Sequence, residues 1–156
     1  HTGEPLRAIA HFQKAIELEP KRAVFHYNLG LMYSTSRYEA MRQYGWDLPR
    51  TFAECQKEFR LARDLEPTDF EYAKNVAENY FLAKYFLIEN PWDEAIQEWQ
   101  HCLKIAPDDA AKSYALTCLG RAYLRKGQKP EAKAVLTQAL TLNPHSPAQH
   151  LLKKCE

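Results

Sequence analysis

The sequence has little glycine, no paired cysteines, no excess of either charge and no long apolar run. Its five glycines among 156 residues form neither a GxxxxGK[ST] nor a GxGxxG phosphate-binding loop. Four cysteines stand far apart without a CxxC pair, which argues against a disulfide framework or a zinc site. Lys and Arg (21) nearly balance Asp and Glu (20), so the basic stripe of a nucleic-acid-binding protein is missing. No apolar run approaches the roughly 20 residues that cross a bilayer. We therefore expect no metal, no cofactor, no nucleic-acid partner and no membrane insertion.

No residue pattern in the sequence indicates catalytic chemistry. The six histidines form no HExxH motif and no pair at i and i+4. A Cys–His nucleophilic pair assembled in space stays open as a minor alternative, and we otherwise predict that the chain is not an enzyme. Separate, reduced cysteines fit a cytoplasmic protein. The chain begins at His1 without a methionine, so we expect more sequence before it, and a signal peptide or anchor there stays open.

A spacing pattern recurs four times along the chain. It consists of a small residue, a large residue four positions later, a small residue three later and a proline five later. Steps of four and three keep the first three residues on one face of a helix, and the proline then ends that helix. The four copies are Ala8–Phe12–Ala15–Pro20, Cys55–Phe59–Ala62–Pro67, Ala95–Trp99–Cys102–Pro107 and Ala132–Leu136–Ala139–Pro144.

A second pattern, a large residue, a small residue and then a tyrosine, precedes three of these copies. It reads Leu29-Gly30…Tyr33, Val76-Ala77…Tyr80 and Leu119-Gly120…Tyr123. Together the two patterns describe a pair of antiparallel helices that stacks on its neighbours.

This arrangement resembles the tetratricopeptide repeat, whose 34-residue consensus has LG…Y, A…F…A and P at these positions. The resemblance implies an all-α solenoid of helix hairpins wound as a right-handed superhelix. It divides residues 1–156 into one array, which consists of the second helix of a truncated repeat (1–22), three repeats (23–69, 70–109 and 110–146) and a capping helix (147–156). Closing prolines lie 47, 40 and 37 residues apart, so the first two full repeats carry insertions of 13 and 6 residues.

Both insertions fall between paired helices, and we expect them to lengthen the first helix of each pair. The lengthened hairpins would present aromatic residues along one edge: Tyr44, Trp46, Tyr85, Phe86 and Trp92. The favoured alternative is that these aromatics pack on each other. Gly45 and Gly127 are expected helix terminators, and Asn90 a helix N-cap. Helix 1–22 lacks a preceding partner, so its exposed face is a candidate for self-association.

The resemblance also implies a binding surface, because first helices line the concave groove in this family. The residue before each LG-type pair points into the groove, which gives Asn28, Asn75 and Cys118. Two asparagines resemble the ladder with which some arrays hold a peptide backbone, and solvent-facing asparagine without a role is an equal alternative. Together with these two, the predicted peptide-binding groove is Tyr27, Asn28, Leu31, Lys74, Asn75, Glu78, Tyr114, Arg121 and Arg125. Arginines at one end favour an acidic end of the peptide.

The chaperone-binding carboxylate clamp of the family is not matched. Where the clamp needs lysine and asparagine, this chain has Tyr27 and Leu31, and later Tyr114 and Cys118. We therefore predict a non-catalytic scaffold or adaptor that binds an extended peptide or a helix of a protein partner. Two alternatives stay open: a regulatory or targeting arm of a larger enzyme or assembly, and a self-association module.

Overall fold

A computed structural model describes residues 3–156, which form nine α-helices and two short 3-10 helices without a β-strand. The chain divides into two compact units, the first ending at Glu89 and the second spanning Asn90–Glu156. Unit 1 contains α1 (Gly3–Leu18), α2 (Ala23–Thr35), α3 (Arg37–Tyr44), α4 (Leu48–Leu65), α5 (Phe70–Asn79) and a 3-10 helix (Tyr80–Phe86). Unit 2 contains α6 (Trp92–Ile105), α7 (Asp109–Lys126), α8 (Lys129–Leu142), α9 (Ala148–Leu152) and a 3-10 turn (Lys153–Cys155). The predicted all-α hairpin fold is confirmed.

Small residues let the paired helices approach closely in both units. A Cβ atom added to Gly30 of α2 would lie 2.8 Å from Cδ1 of Phe59 on α4. A Cβ added to Gly120 of α7 would lie 2.6 Å from Cδ2 of Leu136 on α8. Phe59 and Leu136 therefore occupy the space that Gly30 and Gly120 leave on the facing helices.

Each unit has its own buried residues from the repeated pattern. In unit 1, Cys55, Phe59 and Ala62 are buried against a cluster that includes Leu29 and Tyr33. In unit 2, the side chains of Trp99 and Leu136 are fully buried. Leu136 packs with Leu116, Ala132, Ala139 and Ala148. The phase of the predicted helices is thus the observed one.

The first insertion is helical, but it does not lengthen α2. This differs from the longer α2 that the sequence predicts. α2 ends at Thr35, Ser36 leaves the helical conformation (φ −113°, ψ 41°), and α3 is a separate helix. The change of direction lets Ala40 be fully buried and places Tyr44 beside α1, where its hydroxyl accepts a hydrogen bond from Gln13 (3.1 Å). The packing available to α3 explains why the helix breaks without proline or glycine.

The second insertion continues α5 as a 3-10 helix rather than as an α-helix. Tyr80, Ala83 and Phe86 are buried, and their spacing of three matches the three residues per turn of a 3-10 helix. Phe52 of α4 contacts both aromatic rings, with centroid distances of 5.9 Å to Tyr80 and 5.5 Å to Phe86. A row of buried residues three apart therefore favours the tighter helix.

Helix ends agree with the sequence at some positions and differ at one. Gly45 and Gly127 terminate α3 and α7 in the left-handed conformation, as predicted (φ 67° and 84°). The Asp47 carboxylate accepts from the backbone N–H of Arg50 and caps α4. We expected Asn90 to be a helix N-cap, and this prediction is wrong. Asn90 adopts a positive φ of 52° in the turn before Pro91, a conformation that asparagine tolerates better than most residues.

The C-terminal segment packs as the expected cap. Ala148 is fully buried, and Leu151 and Leu152 lie against the cluster around Leu136. Lys153 and Lys154 are exposed. No helix within residues 3–156 is long and apolar enough to cross a membrane.

Candidate functional site

The predicted binding residues of unit 1 lie on α2 and α5, and we call them the unit 1 surface: Tyr27, Asn28, Leu31, Lys74, Asn75 and Glu78. Tyr27 connects the two helices, because its ring lies 6.0 Å from Phe59 and 5.8 Å from Tyr72 of α5 (centroid distances). Leu31 is 38% exposed, and the other five residues are half-buried. The surface is therefore built on packed aromatic rings but remains open to solvent.

The charged side chains of this surface interact with one another. The Lys74 ammonium donates to the carboxylate of Glu71, one turn earlier on α5. Burial alone would lower the pKa of Lys74, but the hydrogen bond and charge of Glu71 outweigh it, and Glu78 and Tyr27 add to the effect. The net result is a raised pKa for Lys74. Lys74 thus lies within electrostatic reach of both Tyr27 and Glu78.

The two asparagines differ in how much of their amide is in use. Asn75 donates its side-chain N–H to the carbonyl oxygen of Glu71 in its own helix (2.7 Å). Asn28 makes no side-chain hydrogen bond to any other part of residues 3–156. Asn28 therefore keeps its full donor and acceptor capacity, whereas Asn75 offers its carbonyl oxygen and one N–H.

In unit 2, the predicted residues fall in two places on α7. Tyr114 (43% exposed) and Arg121 line a cavity of about 340 Å³ between α7 and the segment that carries α9. Arg125 instead stands over the ring of Trp92, with Cζ 5.9 Å from the ring centroid. Cys118, which we expected to face the groove, is only 5% exposed but contributes to the cavity wall.

The far wall of this cavity was not anticipated from the sequence. It comes from the capping segment, through Asn143, Ser146, Pro147, His150 and Leu151. The sequence signal for this wall was a pair of small polar residues, Ser113 and Thr117, four positions apart on one face of α7. Such a pair indicates a polar contact with another segment rather than a face exposed to water.

Three hydroxyl groups hold the two walls together. The Thr117 hydroxyl donates to the Ser113 carbonyl (2.7 Å), so the Ser146 hydroxyl must be the donor in its 2.8 Å bond to Thr117 Oγ1. Ser146 Oγ in turn accepts from the Ala148 backbone N–H (3.2 Å). The Ser113 hydroxyl donates to the Ala139 carbonyl (2.9 Å). The protons of these three hydroxyl groups are all donated within the protein, which holds the three side chains in place.

The aromatic edge suggested by the insertions does not form as an exposed patch. Tyr44 stacks on Trp46 (4.6 Å between centroids), and both contact Tyr33. Phe86 is buried. Tyr85 remains 53% exposed, and Trp92 is half-buried. The alternative, that these aromatics serve packing, holds for Tyr44, Trp46 and Phe86.

His26 of α2 and Glu58 of α4 form a buried pair, and His26 stands at the position where the tetratricopeptide consensus has tryptophan. His26 Nδ1 lies 2.7 Å from Glu58 Oε2, and Nε2 lies 2.8 Å from the carbonyl oxygen of Pro20. Because that carbonyl only accepts, Nε2 is the donor in this hydrogen bond, and Nδ1 faces the Glu58 carboxyl group. The pair ties α2 to α4 and to the turn before α2.

The outer face of α1 carries polar side chains. Arg7, His11 and Lys14 are exposed there, and Lys14 pairs with Glu17 (2.8 Å). Leu18, at the end of α1, is 72% exposed. Self-association through this helix stays a prediction.

Residues 113–146 match the family model of the tetratricopeptide repeat. Over 150 residues the chain is 29% identical to the tetratricopeptide repeat-containing protein trd-1 of Caenorhabditis elegans. That match covers 94% of this chain but spans only 16% of the length of the relative.

Solved structures share the fold at low sequence identity. PilF of Pseudomonas aeruginosa superposes with a TM-score of 0.69 at 18% identity, over 98% of this chain and 60% of that one. YrrB, a tetratricopeptide-repeat protein with an unusual peptide-binding site, gives 0.51 at 21% identity, over 97% of this chain and 84% of that one.

Proposed function

From the tetratricopeptide repeat at residues 113–146, and from hairpins built on the same plan before it, we propose that the chain is a non-catalytic protein-binding scaffold. Its ligand is an extended segment of a protein partner, which contacts the first helices of the hairpins. The unit 1 surface and the Tyr114–Arg121 region of unit 2 are two candidate contact sites, each within its own unit.

The observation that carries the proposal is the composition of the unit 1 surface. Tyr27 is held by two aromatic neighbours, and Lys74 lies within electrostatic reach of both Tyr27 and Glu78. A rigid aromatic ring flanked by charges of both signs and by amides suits a peptide, because the amides pair with its backbone and the ring contacts its side chains. YrrB, which has the same fold, has a peptide-binding site, in keeping with this use of the fold.

The proposal is tested with a library of short random peptides displayed on phage and selected against the purified chain. Affinities of selected peptides are then measured by fluorescence anisotropy for the wild type and for the triple variant Asn28→Ala, Asn75→Ala, Arg121→Ala. We expect the triple variant to bind at least about tenfold more weakly, which is the loss of about 1.4 kcal/mol of binding free energy.

A matched control removes the same chemical groups elsewhere. The variant Gln97→Ala, Lys133→Ala, Gln138→Ala loses two amides and one cation at exposed positions of α6 and α8, on second helices. It should bind like the wild type. Equal affinity of the wild type and both variants would show that the proposed surfaces are not the binding site.

We also propose that the chain is one arm of a larger protein and that this protein is cytoplasmic. Since the chain spans a small part of its curated relative, a scaffold role as one arm of a larger protein is compatible with it. The cysteines at 55, 102, 118 and 155 are all free thiols, which supports a reducing, cytoplasmic setting.

A further inference from the structure

We propose that unit 1 forms a two-fold symmetric dimer with a second copy of this chain, through an exposed patch at the second insertion. The patch consists of Leu82, Lys84, Tyr85, Leu87 and Glu89, and we call it the insertion patch. None of these residues belongs to the unit 1 surface or to the Tyr114–Arg121 region. The inference therefore goes beyond the proposed peptide binding and does not rest on it.

Three apolar side chains of the insertion patch are open to solvent. Leu82 is 44% exposed, Tyr85 is 53% exposed and Leu87 is 70% exposed. Leu82 and Tyr85 lie one turn apart on the 3-10 helix, in which side chains three residues apart eclipse each other. The opposite side of this helix is buried through Ala83 and Phe86. The exposed side chains are thus carried by a packed helix, which reduces the entropy lost when they associate.

Leu87 adopts a backbone conformation that does not suit leucine. It ends the 3-10 helix in the left-handed region, with φ 58°. Gly45 and Gly127 end α3 and α7 in the same region, and glycine has no Cβ to crowd the next carbonyl oxygen. Because Leu87 is largely exposed, burial within the chain does not offset this strain. An apolar contact with another molecule accounts for a leucine at this position.

The insertion patch carries one charge of each sign. The Lys84 ammonium nitrogen lies 4.8 Å from the ring centroid of Tyr85, and Glu89 is exposed. Neither Lys84 nor Glu89 forms an ion pair or a side-chain hydrogen bond with another residue in the range 3–156. An acidic segment, a basic segment or an anionic membrane surface would attract one of these side chains and repel the other.

A second copy of the insertion patch has the complementary arrangement. A two-fold symmetric interface uses the same surface on both copies, so Lys84 of one copy can face Glu89 of the other, and the reverse pair forms at the same time. The leucine and tyrosine side chains then meet between the two ion pairs. The patch is small compared with standard interfaces, so we expect a weak dimer with a dissociation constant on the order of 100 µM.

The experiment is sedimentation equilibrium of the full chain at concentrations from about 10 µM to about 1 mM. Lys84→Glu alone and Glu89→Lys alone each bring like charges together, so each should weaken the dimer at least about tenfold. In an equimolar mixture of the two variants, both pairs again have opposite charges. The mixture should therefore form a heterodimer with the affinity of the wild-type dimer.

Matched controls make the same charge changes outside the patch. Glu131→Lys and Lys133→Glu, at exposed positions of α8, should each dimerise like the wild type.

Leu87→Gly separates the dimer contact from the fold. It should weaken the dimer at least about tenfold, because the apolar side chain is lost. Its thermal midpoint, measured at about 10 µM where the chain is largely monomeric, should be unchanged or raised, because glycine adopts the left-handed conformation without strain.

A wild-type chain that stays monomeric at about 1 mM would overturn the inference. A dimer that neither charge reversal weakens would place the interface elsewhere, and a monomeric mixture of the two variants would exclude the Lys84–Glu89 pairing. A lower thermal midpoint of Leu87→Gly would assign this leucine to the fold. Lys84→Glu should bind display-selected peptides like the wild type, and loss of these peptides would make the patch a peptide site instead of a dimer contact.

Discussion

At the scale of single residues, burial changes the pKa values of two ionisable side chains. Burial raises the pKa of the Cys55 thiol from 9.0 to about 12. Burial also raises the pKa of the Tyr33 phenol, from 10.0 to about 12, against an opposing hydrogen bond from Gln13. Both groups are held in their neutral form by the packing of α1, α2 and α4.

A pH dependence follows from these two groups. Above about pH 9 the unfolded chain releases protons that the folded chain keeps, so the free energy of unfolding should fall as pH rises toward 12. Urea unfolding of the reduced chain at about pH 7 and about pH 10 measures the decline. The double variant Tyr33→Phe, Cys55→Ala should decline less steeply. Identical slopes for wild type and variant would contradict the assignment.

The His26–Glu58 pair gives a second prediction at this scale. His26→Ala leaves the carboxyl group of Glu58, whose side chain is 11% exposed, without its partner, and we expect a loss of about 3 kcal/mol in the free energy of unfolding. Glu58→Gln retains a hydrogen-bonding group and should cost about 1 kcal/mol. Urea denaturation measures both. Equal losses would mean that packing, and not the buried carboxylate, sets the cost.

At the scale of helices, the close approach of α2 to α4 and of α7 to α8 depends on Gly30 and Gly120. Alanine would gain about 1 kcal/mol of helix propensity at either position, but its Cβ would overlap Phe59 or Leu136. We expect Gly30→Ala and Gly120→Ala each to destabilise the chain by about 1–2 kcal/mol net.

Gly3 is the control for this effect, because a Cβ there would meet no atom within 4 Å. Gly3→Ala should leave the thermal midpoint unchanged or slightly raised. If Gly30→Ala stabilised the chain instead, the two helices would be less tightly packed than the contact with Phe59 indicates.

Helices and their pairing could be predicted because their signals are local. The small–large–small spacing fixes which face of α4 or α8 is buried, and Gly127 ends α7 for a reason contained in its own backbone. The break at Ser36 could not be predicted, since it depends on α3 reaching α1. Likewise, the cavity beside Arg121 requires Ser146 to meet Thr117, two residues 29 positions apart whose hydrogen bond has no sequence signature.

On the scale of the whole molecule, the two units carry separate buried clusters. Such arrays gain their stability from neighbouring elements, so damage to one cluster should stay mostly local. Trp99 is fully buried in unit 2, with its ring 5.9 Å from that of Tyr114. We expect Trp99→Ala to lower the free energy of unfolding by about 3–5 kcal/mol.

Hydrogen exchange followed by mass spectrometry shows where that loss appears. Peptides from residues 90–156 should lose protection, while peptides from residues 3–89 should lose less. Tyr85→Ala, at a side chain that is 53% exposed, serves as the aromatic control and should change neither region. Uniform loss across the chain in Trp99→Ala would show that the molecule unfolds as one cooperative body.

The contact between Gly30 and Phe59 also constrains how the sequence can drift over evolutionary time. A larger residue at position 30 is acceptable only where position 59 has already become smaller, and the same holds for positions 120 and 136. Homologous sequences should therefore show paired exchanges at these positions, with the order of the two substitutions fixed by which intermediate still folds.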